Sequence, residues 1–189
     1  MSQPEAMKLS APFGAEAVEV LRAGDRVRLS GTIYTGRDAA HRRLFELLGE
    51  GRELPVDLRG QVIYYVGPTP ASPGRTIGSA GPTTAGRMDA YTPALLEYGL
   101  RGMIGKGMRS PAVVEAIVRY RAVYFAAIAG AGALVATCIK EAEVAAYPDL
   151  GPEAIYRLRV EDMPLIVVND CLGGDLYRTA TRQWARGGT

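Results

Sequence analysis

Between Asp25 and Gly51 the hydrophobic period of the chain changes from two to about 3.6, and this change narrows the choice of fold most. Val27, Leu29 and Ile33 alternate with Arg26, Arg28, Ser30 and Thr32, the pattern of a half-buried strand. Leu44, Leu47 and Leu48 then recur at helical spacing up to Gly49 or Gly51, either of which can end a helix. Thr35 and Asp38 stand in the spacing of a capping box at the start of that helix. Strand followed directly by helix is the unit of an α/β fold.

The pattern continues downstream. Ala15 to Leu21 reads as a strand joined to the Asp25–Thr35 strand by a tight RAGD turn, and Gln61 to Val66 (QVIYYV) as a strand buried on both faces. Thr92-Pro93 opens a short helix that closes at Gly99. Ser110-Pro111 opens another, with Val113, Val114, Ile117 and Val118 as its buried face. Val123–Ala129 and Ala133–Ile139 have strand character, with a glycine-alanine stretch between them that suits a tight turn or a helix start. Ile155–Val160 and Pro164–Asn169 read as the last two strands, and CLGGDLY as a turn. The expectation is a single domain over residues 1–189, a mixed sheet with flanking helices, and peripheral tails at 1–12 and 179–189. A chain of 189 residues is long enough to bury a real core.

Composition excludes some classes of function. With 22 basic and 20 acidic residues the net charge is +2, which gives no electrostatic reason to expect nucleic acid or a membrane surface as partner. The longest apolar stretch, Ala122 to Val135, holds two glycines and is too short to cross a bilayer, and the N-terminus lacks the pattern of a secretory signal. A cytoplasmic protein is expected. Cys138, Cys171 and the lone His41 do not make the roughly four-ligand set that a self-contained zinc or iron–sulfur site needs, so no metal site is expected in this chain.

Three places could hold an anion. Residues 67–89 are rich in Gly, Pro, Ser and Thr and have no period, and a loop of this length in a compact domain is usually functional or disordered. In its second half, Gly81 and Gly86 allow close approach of backbone to a ligand, Thr83 and Thr84 offer hydroxyls, and Arg87 offers a two-pronged carboxylate grip. The spacing matches neither a Walker loop nor G-x-G-x-x-G, and a structural turn with Arg87 bridging Asp89 fits the same residues. Arg37 lies at a helix N-terminus, where free N–H groups favour negative charge, though an ion pair with Asp38 or Glu46 would also account for it. His41 shares the face of Arg37 and suits a packed, hydrogen-bonded role. Lys106, between Gly105 and Gly107, fits either a charge pointed into a site or an exposed hairpin.

Two arginines and a lysine on separate loops suit a small molecule with two carboxylates, yet no catalytic dyad or metal cluster accompanies them. The chain reads as half of an active site. A stand-alone module that binds a small anion or a nucleotide without catalysis is the alternative.

The strings TGRDAAHRR, GPTTAGRMD, MIGKG and DLGPEAIYRLRVEDMPLIVVND, in this order, resemble the beta subunit of the iron–sulfur class I fumarases and L-tartrate dehydratases, and equally the C-terminal domain of their single-chain forms. The resemblance runs from about residue 10 to residue 178. It implies a swivelling β/β/α domain that closes over a partner alpha subunit or domain holding a [4Fe–4S] cluster, with one iron binding the substrate as a Lewis acid. It implies reversible addition or removal of water on a small dicarboxylate, either L-tartrate to oxaloacetate or fumarate to malate, by a dimer of alpha–beta pairs. Carried over by position, Arg37 and Arg87 clamp substrate carboxylates, Lys106 adds a charge contact, and Thr83 takes part in proton transfer with an aspartate of the partner. Thr84 serves the loop or the substrate, and His41 supports Arg37. NDCLGGDLY departs from the resemblance and leaves Cys171 without a role.

Overall fold

The computed structural model describes residues 5–71, 73–127 and 132–184. The strands are β1 (Met7–Ala11), β2 (Arg26–Thr35), β3 (Val62–Tyr64), β4 (Gly102–Gly105), β5 (Val123–Ala127), β6 (Ile139–Ala146) and β7 (Ile155–Asn169). The helices are α1 (Ala15–Glu19), α2 (Asp38–Gly49), α3 (Thr92–Tyr98), α4 (Pro111–Arg119), α5 (Gly132–Cys138) and α6 (Leu176–Trp184). Short 3-10 turns lie at Ala85–Met88 and Pro148–Glu153.

Strands β2, β3, β4 and β5 pair in parallel in that order. β7 runs antiparallel between β5 and β2 and so closes the sheet on itself. β1 extends β2 in parallel, and β6 extends β7 as a hairpin partner. Alternation along the strands feeds two cores. Val27, Leu29 and Ile33 of β2 pack with Val62, Tyr64, Ile104, Val123, Phe125, Leu158 and Val160 on one face. Ile63, Tyr65, Met103 and Tyr124 face the other way, against Leu44 of α2, Leu95 and Leu96 of α3, and Val113 and Ile117 of α4. QVIYYV lacks a period because both of its faces are buried.

Several elements differ from the sequence reading. Ala15–Glu19 is a helix, because Val18 and Leu21, three residues apart, are the buried pair there. Residues 7–11 of the expected tail form an edge strand, while residues 1–4 and 185–189 lie outside the described residues. Of the expected strand Val123–Ala129, the last two positions lie outside them as well, as does most of the glycine-alanine stretch that follows. Ala133–Cys138 belongs to helix α5, and β6 begins only at Ile139. In α4 it is Ala116 that joins Val113 and Ile117 in the core; Val114 is half-buried and Val118 exposed.

The two expected C-terminal strands are one. Asp162 takes a left-handed φ of 48° opposite Ser30, whose Oγ accepts from Asp162 N at 3.0 Å, and the strand passes through this bulge without a break. Thr35 does not cap α2. It is the last residue of β2, its hydroxyl donates to the Ala154 carbonyl at 3.2 Å and accepts from Tyr156 N at 2.9 Å, and the N-cap position falls to Arg37.

Candidate functional site

Three of the parallel strands deliver their following loops to one edge, the carboxyl edge of the sheet, where parallel α/β sheets, open or closed, carry their ligand loops. β2 ends at Thr35 and leads through Gly36 to Arg37 and the first turn of α2. β3 leads into the long loop that carries Thr83, Thr84 and Arg87. β4 leads into Gly105-Lys106-Gly107.

The long loop is fastened where the candidate residues lie. Thr83 N donates to the Tyr65 carbonyl at 2.7 Å, Lys106 N to the Thr83 carbonyl at 3.2 Å, and Ala85 N to the Lys106 carbonyl at 2.8 Å. Thr84 and Lys106 thus form an isolated parallel bridge that continues the β3–β4 pairing. Gly105 is required at this crossing, since a Cβ there would stand 2.8 Å from the Tyr65 ring. Tyr124, whose phenol burial pushes to a higher pKa, donates to the Gly107 carbonyl at 3.0 Å and fixes the turn. Backbone pairing therefore sets Thr83, Thr84 and Lys106 side by side; Thr83 is half-buried, and Thr84 and Lys106 are exposed.

Arg87 does not bridge Asp89. Its Nε donates to Asp38 Oδ1 at 2.9 Å, and its side chain is 53% exposed. Asp38 also lies beside Arg37, whose Nη2 stands 3.8 Å from Asp38 Oδ2 and 3.3 Å from Glu153 Oε1. Glu46, the other partner considered for Arg37, faces Arg42 instead. Gly67 makes room for Arg37, because a Cβ there would meet its Nη1 at 3.0 Å. Arg37 Nε and Asp38 Oδ2 are both buried without a hydrogen-bond partner among the described residues.

His41 is fully buried beneath this group and meets Tyr65 edge-on, with ring centroids 5.3 Å apart. Its Nδ1 lies 2.9 Å from the Arg37 carbonyl, which can only accept, so Nδ1 carries the proton and Nε2 is a bare, unpartnered acceptor. Burial, with a smaller contribution from the Arg109 charge, pushes its pKa down to about 4. His41 is therefore neutral near pH 7 and ties down the backbone of Arg37.

Sequence reasoning missed Arg109 and Glu153 here, and it read Asp89 as a partner of Arg87 and Asp38 only as a helix-start residue beside Arg37. Arg109 lies under the loop with its side chain wholly buried, between the rings of Tyr65 and Tyr124. Its Nε donates to Asp89 Oδ1 at 2.8 Å, Nη1 to the Tyr65 hydroxyl at 3.1 Å and Nη2 to the Thr92 hydroxyl at 2.8 Å. Asp89 completes the knot by accepting from Ser110 N at 2.6 Å. Asp38 faces Arg87 as well as Arg37, and Glu153 arrives from a segment more than a hundred residues away. No sequence signal marks these contacts, although the dense charge of GRMD hints that one of its members is structural.

Among the described residues no three His, Cys, Asp or Glu side chains gather as a ligand set. Cys171 is buried with its thiol pKa pushed up by burial, and Cys138, in α5, is half-buried. No described helix is long and apolar enough to cross a membrane.

The family model for the C-terminus of fumarase matches residues 2–180. The chain is 43% identical over 155 residues to the anaerobic class I fumarate hydratase of Escherichia coli K12, covering 81% of this chain and 28% of that protein. It is 36% identical over 181 residues to a putative class I fumarate hydratase of Geobacillus stearothermophilus, covering 93% of this chain and 34% of that one. To the beta subunit of the L(+)-tartrate dehydratase of E. coli K12 it is 36% identical over 173 residues, covering 89% of this chain and 85% of the subunit. The chain thus spans about a third or less of these fumarate hydratases but most of the tartrate dehydratase subunit. With a family match over nearly its whole length, the chain belongs to the fumarase C-terminus family.

Proposed function

We propose that this chain is the beta-type half of a hydro-lyase that adds water to, or removes it from, a small dicarboxylate such as L-tartrate or malate. One observation carries the reading. Arg37, Thr83, Arg87 and Lys106 come from three successive strand ends on one edge of the sheet, and Arg87 is held by Nε, its terminal amino pair without a hydrogen bond among the described residues. A guanidinium held in this way meets a carboxylate two-pronged.

In this reading Arg37 and Arg87 grip the substrate carboxylates, and Lys106 adds a cation. Abstraction of a proton next to a carboxylate builds an enediolate-like dianion, which fixed cations stabilise. Thr83 carries the proton to or from that carbon. A threonine hydroxyl is a weak base, so it passes its own proton to a carboxylate of the partner. Thr84 holds the loop to Lys106, and His41 holds Arg37.

The described residues do not fit an iron–sulfur ligand set, and we assign the [4Fe–4S] cluster to a partner alpha subunit, where it supplies Lewis-acid chemistry. The chain swivels to close on that partner, is inactive without it, and works in a dimer of alpha–beta pairs. The relationship to a tartrate dehydratase beta subunit supports the separate-subunit form. Two unpaired thiols suit the reducing cytoplasm.

The test is to tag the chain, recover it anaerobically from its native cell, and assay the eluate for fumarate hydration and L-tartrate dehydration. A brown eluate containing a second, cysteine-bearing chain and active on one of these acids is expected. A colourless chain recovered alone, binding small anions without turnover of either acid, would overturn the reading in favour of a stand-alone binding module.

A further inference from the structure

Resting on the assignment of Arg37 and Arg87 as the carboxylate contacts, we infer that Asp38 is the positioning residue that joins them into one pre-set, two-armed grip. The two arginines come from different loops and have no chain segment in common at the site. Among the described residues, Asp38 is the one carboxylate that both approach: Oδ1 takes the Nε of Arg87 at 2.9 Å, and Oδ2 faces Arg37 Nη2 at 3.8 Å.

The choice of donor atom matters. A carboxylate on the terminal amino pair of Arg87 would occupy the edge that a substrate needs. By taking Nε, Asp38 leaves that pair without a hydrogen bond among the described residues, on a half-exposed side chain, and fixes the plane of the guanidinium. Ordering a long, rotamer-rich side chain before the ligand arrives removes a cost that binding would otherwise carry. Asp38 itself is held, because it opens α2, whose free N–H groups favour a carboxylate in the first turn.

On the Arg37 side the contact is incomplete. Asp38 Oδ2 and Arg37 Nε are both buried and unpartnered, while Arg37 leans towards Glu153 at 3.3 Å. A shift of roughly 1 Å would bring the Asp38–Arg37 pair from 3.8 Å into hydrogen-bond range. Asp38 therefore has a locked arm, Arg87, and a loose arm, Arg37, that an incoming dicarboxylate can draw in against the free oxygen.

The experiment has a readout that does not need turnover. In the intact chain, the Nε–H NMR signal of Arg87, assigned through Arg87→Lys, is followed by its exchange with water. Loss of a charge-assisted hydrogen bond in Asp38→Ala is expected to speed that exchange by about tenfold or more. An Arg87 signal indifferent to Asp38→Ala overturns the inference, whatever the activity of the enzyme. In the assembled enzyme, Asp38→Asn is expected to melt with the parent and to raise KM for the dicarboxylate about tenfold, with kcat changed much less. A fall in kcat at unchanged KM overturns the positioning role. An Asp38-dependent Arg87 signal in a chain that turns over neither acid leaves the role of Asp38 standing and counts only against the hydro-lyase reading.

Discussion

Arg109 Nε donates to Asp89 Oδ1 at 2.8 Å inside the fold, whereas Arg87, two residues before Asp89, reaches out to Asp38 with half of its side chain exposed. One short string thus supplies a scaffold ion pair and a surface cation. The two differ in what their loss would do.

Arg109→Met leaves the Asp89 carboxylate mostly buried without its partner. Breaking such a pair from one side costs about 3–5 kcal/mol. Urea unfolding of the variant should show a loss on that scale, and adding Asp89→Asn should recover part of it. Strictly additive losses would mean that the two residues do not act as a pair.

Arg87→Ala is expected to fold and melt like the parent, since the side chain contributes only a surface ion pair. Its kcat/KM in the assembled enzyme should fall by about 10²–10³, the effect of removing one preorganised donor at developing charge, or about 2.7–4 kcal/mol. Steady-state rates together with a thermal melt provide the check. Full activity in a folded variant would exclude Arg87 from the site.

Thr83 is held through its backbone, to the Tyr65 carbonyl and to Lys106 N, so its hydroxyl can be removed without moving the loop. Thr83→Ala should lower kcat about 10²–10⁴-fold, the usual range for a proton-transfer group, and leave KM nearly unchanged. Thr83→Ser should recover much of the rate. A raised KM at normal kcat would make Thr83 a binding residue instead.

His41 sets a pH dependence of stability. Its pKa lies at about 4 in the folded chain against the ordinary 6.5. As pH falls through 6.5 the unfolded chain takes up the proton first, so stability is whole above about pH 6.5 and is lost down to about pH 4. The full shift corresponds to about 3 kcal/mol. Denaturant melts at pH 4.5 and pH 7 should show most of this difference, and His41→Asn, whose amide can still donate to the Arg37 carbonyl, should abolish it. An unchanged difference would assign the slope to other groups.

The sequence was readable where one face of an element is apolar and the other polar. β2 with Val27, Leu29 and Ile33, and α2 with Leu44, follow their periods closely. It misled where burial is decided by distant partners. α1 contributes only Val18 and Leu21, too few for a period to show, and Ala133–Cys138 of α5 reads as a strand because so short an apolar run around Leu134 and Val135 shows no helical period. The acidic break Glu161-Asp162 looks like a turn, yet Ser30 and Arg28 of β2 accommodate it as a bulge.

For the candidate site, Arg37, Thr83, Arg87 and Lys106 stood out because glycine and threonine around a cation form a local signature. Glu153 and Arg109 did not, and the pairing of Asp38 with Arg87 was not legible, because these roles arise from contacts between loops that the closed sheet brings together.

That closure has a consequence for how the chain is made. The ring is completed by β7, whose pairing with β2 spans 132 residues at Asp162–Ser30, and Asp170 beyond it accepts from Ala23 N across 147. Contacts this distant in sequence form slowly, because loop-closure entropy must be met before they stabilise anything. On the ribosome, Arg37, Arg87 and Lys106 emerge before the strand that closes the sheet beneath them, so the anion edge is made before its support exists. A chain ending before β7 would hold every one of these residues without the strand that closes the sheet beneath them.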